Sequence, residues 1–243
     1  EKEIKKRLEI LKSKMDKFKN KLIHKHGKEI LGISVLPPEK LQDVVERLRH
    51  QGIKSEEELK EKLKEEKEKI NVLVLLDDKD LEPKKRFELL NKIEESSKKI
   101  AGEIDKKIKC QAMLMGELRE ACFDAKYEIV RLIAFGGIIY DKKDVLKALK
   151  VSELHKSMVI KKFEKYVVSY IAVGSLFRGD ASSHDIDVAV IIDDTDVKRM
   201  SRAELKDKLG AIIRSMGFQA GDMAGVKKAF HIQVYILTDF WDS

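Results

Sequence analysis

The chain contains an internal repeat. Residues 70–93 align without a gap with residues 186–209, and ten of the 24 pairs are identical. The identical pairs are Ile70/Ile186, Val72/Val188, Val74/Val190, Asp77/Asp193, Asp78/Asp194, Asp80/Asp196, Arg86/Arg202, Glu88/Glu204, Leu89/Leu205 and Lys92/Lys208. Each copy has an apolar run, an acidic turn and a helical pattern, and a further apolar run follows in both, where Gln111 matches Gln233. A repeat of this length predicts that one fold occurs twice in the chain.

A loop of small and charged residues precedes the second copy. It covers residues 174–184 and joins an apolar run over 166–173 to another over 188–192. Asp185 and Asp187 stand at the start of the second run, and side chains two residues apart on a strand project to the same face. Adjacent carboxylates repel each other unless a cation lies between them, and Mg²⁺ takes such ligands together with substrate phosphates.

The first residues of this loop suit a phosphate group. Gly174 and Ser175 offer backbone N–H groups and a hydroxyl. An Arg-Gly pair follows, in which Arg178 is placed either to reach a phosphate or to pair with Asp180 or Asp185. In this order and spacing, Gly-Ser, Arg-Gly and Asp-x-Asp resemble the signature of the DNA polymerase β-like nucleotidyltransferase superfamily.

The resemblance implies an activity, a cofactor and a role for each residue. Members of the superfamily transfer a nucleoside monophosphate from a nucleoside triphosphate to an acceptor, with the help of metal ions. Asp185 and Asp187 would be the catalytic residues and the ligands of Mg²⁺ or Mn²⁺, while Gly174, Ser175 and Arg178 would bind the nucleotide. The acceptor stays open among RNA, a protein hydroxyl and a small molecule.

One acid of the family pattern is missing. Active members commonly carry a third carboxylate on the strand after the helix, and here the natural candidate is Gln233, with His231 and Tyr235 on the same face. Glutamine can ligate a metal but cannot accept a proton, whereas His231 could act as a base or be a structural histidine. The alternative function is therefore a catalytically silent nucleotide- or RNA-binding or interaction protein that retains the fold.

The first copy is degenerate at the same positions. Lys69 and Asn71 replace Asp185 and Asp187, so a cation and a neutral amide stand where metal ligands are expected. The Gly-Ser turn has no clear counterpart in this copy. The closest match is the segment 32–34, which two charged helical stretches, at about 38–50 and 55–69, separate from the next strand. We expect this copy to have a structural role or to hold a partner or substrate.

Composition favours a charged, thermophile-like surface. The 243 residues are 38% charged with a formal net charge of +7, and lysine and glutamate are interleaved. This surplus is compatible with a nucleic-acid partner, but a solvated surface is the simpler interpretation. Residues 1–27 predict an amphipathic, charged N-terminal helix. No apolar run reaches the about 18 residues of a membrane span, and Cys110 and Cys122 lack the spacing of a zinc site.

We therefore expect an α/β (α+β) protein with two tandem nucleotidyltransferase-like domains, each a small mixed β-sheet packed with helices. The degenerate domain covers residues 1–142 and the domain with the motif covers 143–243. The second is expected to be truncated, because its last helix is due to begin at Trp241. The natural chain would then continue past Ser243 or end there in disorder. We expect a cytoplasmic location and no membrane partner.

Overall fold

The computed structural model describes residues 2–124, 126–173, 185–195, 200–226 and 229–241, without the side chains at 173, 185, 229 and 230. The protein is a mixed α/β protein with two compact units, Glu1–Lys142 and Lys143–Ser243. Each unit contains one small mixed β-sheet. In the described parts of the chain, no helix is both long and apolar enough to cross a membrane.

The first unit is built on a four-stranded sheet. Its elements are α1 (Lys2–His26), β1 (Ile30–Val35), α2 (Leu41–His50), α3 (Glu56–Glu68), β2 (Ile70–Leu76), α4 (Pro83–Ile104), β3 (Ile108–Leu114), α5 (Met115–Phe123), α6 (Tyr127–Ala134) and β4 (Gly137–Asp141). The strand order is β3-β2-β1-β4. β1 is antiparallel to both neighbours, whereas β2 and β3 are parallel and are joined by α4. A parallel pair needs such a crossover connection.

The second unit is built on a three-stranded sheet. Its elements are α7 (Val145–Phe163), β5 (Val167–Val173), β6 (Asp185–Ile192), α8 (Arg202–Ala224), β7 (Ala229–Ile236) and α9 (Leu237–Trp241). The central strand β6 is antiparallel to β5 and parallel to β7. α9 begins at Leu237, four residues before the predicted start at Trp241.

Each unit has its own hydrophobic core between one face of the sheet and two helices. Alternate residues of β2 and of β6 face this core, because successive side chains of a strand project to opposite faces of the sheet. In the first unit they meet α1 and α4, through residues that include Val72, Val74, Leu76, Phe18, Leu22 and Ile93. In the second unit they meet α7 and α8, through residues that include Val188, Val190, Ile192, Val151, Val159 and Ile213.

Strand pairing extends the repeat to the first strand of each unit. Ile33 of β1 pairs with Val74, and Tyr170 of β5 pairs with Val190. Val74 and Val190 are equivalent in the sequence repeat, so Ile33 corresponds to Tyr170. The sequences of β1 and β5 share too little identity to reveal this match, and the backbone pairing supplies it.

The two units also share a β-bulge. The pairing of β1 with β2 shifts between Ile30 and Gly32, and the pairing of β5 with β6 shifts between Val167 and Ser169. These positions are equivalent when Ile33 is matched to Tyr170. Because a bulge bends a strand and is usually retained within a family, its recurrence supports duplication of a single ancestral unit.

The parallel strand pairs have the same register. Leu73 pairs with Gln111 in the first unit, and Ala189 pairs with Gln233 in the second. Both members of each pair are equivalent in the sequence alignment. α5 and α9 begin directly after the matched strands β3 and β7. Apart from α2 and α3, which lie between β1 and β2, the arrangement helix, strand, strand, helix, strand, helix therefore occurs in both units.

The identical residues of the repeat include an ion pair that occurs in both units. Arg86 Nε lies 3.4 Å from Asp78 Oδ2, and Arg202 Nε lies 3.1 Å from Asp194 Oδ2. The Asp78 side chain is buried, at 3% exposure, and the Asp194 side chain is largely buried, at 10%. Each ion pair links a residue just after the strand, β2 or β6, to the first turn of the next helix, α4 or α8, so the identity of these residues in the two copies has a structural cause.

Candidate active site

The candidate site lies at the start of β6, the central strand of the second sheet. Asp187 pairs with Val173 of β5 on one side and with His231 of β7 on the other. Val173 is the residue directly before Gly174 in the sequence. The strand order therefore places Asp187 beside the backbone from which the predicted phosphate-binding loop departs.

The Asp187 carboxylate and the His231 imidazole are neighbours. His231 Nδ1 lies 3.7 Å from Asp187 Oδ1, which is longer than a hydrogen bond. The side chains are 69% exposed for His231 and 41% exposed for Asp187. Both groups are therefore accessible to a ligand, and they do not hydrogen-bond to each other.

The register places His231, rather than Gln233, opposite Asp187. Gln233 pairs with Ala189, one pleat further along the sheet. Its Oε1 accepts a hydrogen bond from the Tyr235 hydroxyl. The sequence suggested Gln233 as the residue in place of a third acid, whereas the residue opposite Asp187 on that strand is His231. Position along a strand depends on a register that no local pattern encodes.

The other predicted site residues fall on parts of the chain that are not described. Gly174, Ser175 and Arg178 lie outside the described residues, and so does the side chain of Asp185. The backbone of Asp185 forms the first residue of β6 and pairs with Ala229. The roles of these four residues stay predictions.

Asp187 and His231 have the donor chemistry of a divalent-cation site. One supplies a carboxylate oxygen and the other an imidazole nitrogen, a set that fits a first-row divalent cation as well as Mg²⁺. Among the described side chains, no group of three or more histidine, cysteine, aspartate or glutamate residues is placed to hold a metal. This statement does not cover Asp185, the predicted second carboxylate, because its side chain lies outside the described residues.

The first unit contains no Gly-Ser turn at the segment that the sequence suggested. Gly32 and Ser34 lie inside β1, where they pair with β2 on one side and β4 on the other. Backbone groups committed to two neighbouring strands cannot bind a phosphate. The segment 32–34, which is the closest match to the Gly-Ser turn in the sequence, is therefore part of a strand and not a turn.

The strand pairing identifies Pro37-Pro38 as the true counterpart of Gly174-Ser175. Pro37 stands four residues after Ile33, as Gly174 stands four residues after its equivalent, Tyr170. Proline has no backbone N–H. At these equivalent positions the first unit therefore has neither the two backbone N–H groups nor the two carboxylates.

An internal ion-pair network occupies the equivalent position of the first unit. Lys69, which replaces Asp185, donates a hydrogen bond to Glu66, and Arg47 donates to Glu66 at 3.2 Å and to Glu39 at 3.0 Å. Burial alone would raise the pKa of Glu66, but the hydrogen bonds from Lys69 and Arg47 lower it. The adjoining cavity has a volume of about 280 Å³ and is lined by residues that include Pro38, Leu41, Val44, Leu63, Lys69 and Asn71.

Two other side chains of reactive type, Cys110 and His155, have surroundings that suit a structural role. Burial raises the pKa of the Cys110 thiol to about 12, so a nucleophilic thiolate is absent near neutral pH. His155 is buried, with Nδ1 at 2.9 Å from the Tyr170 hydroxyl and Nε2 at 2.9 Å from the Ile213 carbonyl. Neither residue is a candidate for catalysis.

Comparison of the chain with family models, with curated proteins and with solved structures finds no match.

Proposed function

We propose that the second unit is a metal-dependent nucleotidyltransferase, which transfers a nucleoside monophosphate from a nucleoside triphosphate to an acceptor. The observation that carries this proposal is the position of Asp187. It is accessible at the start of the central strand, and its backbone partner Val173 directly precedes Gly174-Ser175. A metal ligand and a phosphate-binding turn would then lie close together at one end of the strands β5 and β6.

The residues of the chain divide the work of this reaction. Asp187 and Asp185 would hold Mg²⁺ or Mn²⁺, and Ser175 with the backbone at Gly174 would bind the phosphates. Arg178 would add positive charge next to them or brace the loop. The metal ions, when bound, neutralise phosphate charge and activate the acceptor oxygen. Catalysis of this kind depends on positioning and on fixed charges more than on covalent chemistry by the protein.

The first unit would not catalyse the reaction. Its equivalent turn is Pro37-Pro38, and Lys69 and Asn71 replace the carboxylates. The Lys69 charge is balanced by Glu66, so the position is stable without a ligand. A structural role, or a role in holding a partner or substrate, is consistent with these changes.

The alternative is a nucleotide- or RNA-binding module that keeps the fold without turnover. The register favours this alternative at one position, because the residue opposite Asp187 is a histidine and not an acid. Binding without transfer would support this alternative, and a strong dependence on salt would indicate RNA as the ligand.

Calorimetric titration with a non-hydrolysable nucleoside triphosphate and a divalent cation tests the proposal without knowledge of the acceptor. The wild type is compared with the double variant Asp185→Asn/Asp187→Asn, which removes two charges and keeps the side-chain size. The matched control is Asp207→Asn/Asp222→Asn, which changes two exposed aspartates of α8. We expect metal-dependent binding that is lost in the site variant alone.

Other results would decide against the proposal. Equal binding by the wild type and the site variant would place the nucleotide elsewhere, and no binding by any variant would overturn the enzyme function. If binding is found, labelled transfer to RNA, protein and small-molecule acceptors follows, and Asp187→Asn is expected to abolish it. Binding without transfer to any acceptor would leave the silent module.

A further inference from the structure

We propose that His231 is a ligand of the metal in the second unit and biases the site toward a first-row divalent cation such as Mn²⁺ over Mg²⁺. This inference rests on the proposed function, because it takes Asp187 as a metal ligand. It goes beyond that function by naming a further binding residue and the metal that the site selects.

The distance between the two donor atoms fits a shared cation. Two donors that each lie about 2.1 Å from one ion are about 3 Å apart when they are adjacent and about 4.2 Å apart when they are opposite. The 3.7 Å between His231 Nδ1 and Asp187 Oδ1 falls between these limits. It is also too long for the two groups to satisfy each other by a hydrogen bond. A side-chain adjustment of about 0.7 Å would bring the two donors to the adjacent spacing on one ion, without a shift of β6 against β7.

The backbone fixes the two donors relative to each other. Asp187 and His231 are direct partners in the parallel pair β6–β7, and both side chains are partly or largely exposed on the same face. Ligands on adjacent strands of a sheet are held more firmly than ligands on loops. Little reorganisation is then needed when the metal binds.

The first unit provides an internal comparison. At the equivalent positions of β2 and β3, Asn71 pairs with Lys109. A protonated lysine cannot coordinate a metal, and an amide carries no charge. Both members of the Asp187–His231 pair are thus replaced together in the degenerate copy, as expected if they act on the same ion.

The donor type determines the metal preference. Mg²⁺ binds oxygen ligands and keeps several waters, whereas imidazole nitrogen favours first-row transition metals. A site with carboxylate and imidazole ligands is therefore expected to prefer Mn²⁺ to Mg²⁺. An all-carboxylate site would lack this bias.

Electron paramagnetic resonance of Mn²⁺ tests the proposal on the full chain, in the absence of nucleotide and at mildly alkaline pH. The signal of unbound Mn²⁺ during a titration gives the affinity, and competition with Mg²⁺ gives the selectivity. Hyperfine coupling of nitrogen to bound Mn²⁺ reports a coordinated imidazole. We expect His231→Ala to remove the nitrogen coupling and to weaken Mn²⁺ binding about ten-fold, with little change for Mg²⁺. His231→Asp should shift the preference toward Mg²⁺, and His50→Ala, at an exposed histidine, should change nothing.

The outcomes separate this inference from the proposed function. If Asp187→Asn abolishes Mn²⁺ binding but His231→Ala leaves the affinity and the nitrogen coupling intact, His231 is not a ligand and the nucleotidyltransferase proposal survives. If Mn²⁺ binding needs both residues but no nucleotide binds, the metal site stands and the proposed function fails. Binding that depends on neither residue overturns both.

Discussion

His155 of α7 occupies the position that Phe18 occupies in α1, counted back from the equivalent ends of the two helices. Both side chains are fully buried, at 0% exposure. Burial lowers the pKa of His155, with the opposing contribution of the hydrogen bond to the Ile213 carbonyl being smaller. The imidazole is therefore neutral in the folded protein at neutral pH, and its Nε2–H donates to that carbonyl.

The pKa of His155 predicts a loss of stability in weak acid. The unfolded histidine binds a proton below about pH 6.5, and the folded one resists it, so the free energy of unfolding falls as the pH drops through this value. We expect His155→Phe to reduce this pH dependence in the second unit. At neutral pH it should destabilise the unit by about 1–3 kcal/mol, because the Ile213 carbonyl loses its donor.

Hydrogen exchange of β5, β6 and β7, followed across the pH range, is the measurement for this prediction. His50→Phe is the control, because this histidine is exposed in the first unit. The same pH dependence in the wild type and in His155→Phe would mean that His155 is not the group responsible.

At the level of elements, the α2–α3 helix pair lies in the connection between matched strands whose length differs most between the two copies. It joins β1 to β2, whereas residues 174–184 join β5 to β6. The two helices share a small apolar cluster of their own, formed by Val44, Leu48 and Leu59. A cluster of this size holds the pair together while contributing little to the main core, so the pair is expected to open on its own.

Leu48→Ala is expected to open the helix pair without unfolding the sheet. The substitution creates a cavity that costs about 2–4 kcal/mol. Amides of α2 and α3 should then exchange faster, while those of β1 and β2 keep their wild-type protection. Leu41→Ala serves as the control, because Leu41 is 53% exposed on the same helix. Equal acceleration in the helices and in the strands would show that the pair is an integral part of the unit.

Much of the order of helices and strands could be predicted from the sequence, because periodicity and the internal repeat are local properties of the chain. Periodicity predicted the two charged stretches that become α2 and α3, and the repeat predicted the matching strand, helix and strand around Asp77 and Asp193. The position of His231 opposite Asp187 could not be predicted, because register depends on contacts between strands. For the same reason, residue type alone showed no clear counterpart of the Gly-Ser turn in the first copy, and strand pairing was needed to locate the equivalent position at Pro37-Pro38.

At the scale of the whole molecule, the two units have separate hydrophobic cores. Val74 belongs to the first and Val190 to the second, and both side chains are fully buried. They are also equivalent positions of the repeat. The same substitution at these two sites therefore perturbs the same place in the same fold, once in each unit.

Val74→Ala and Val190→Ala are expected to destabilise one unit each. Each removes buried methyl groups from a central strand, at a cost of about 1–3 kcal/mol. Hydrogen exchange should accelerate in β1 to β4 for the first variant and in β5 to β7 for the second. Acceleration in both units from either variant would contradict independent cores and would indicate that the units unfold together.

Pro37-Pro38 has a consequence for counting ligands. The chain carries a candidate site and, at the equivalent place in the same fold, a version without amide donors or acids. A ligand whose binding depends on Asp187 and the Gly-Ser turn should bind with a stoichiometry of one per chain. A molecule attracted merely by the architecture or by the lysine-rich surface should bind with two or more. The first unit is thus a negative control within every chain, present at the same concentration as the candidate site of the second unit.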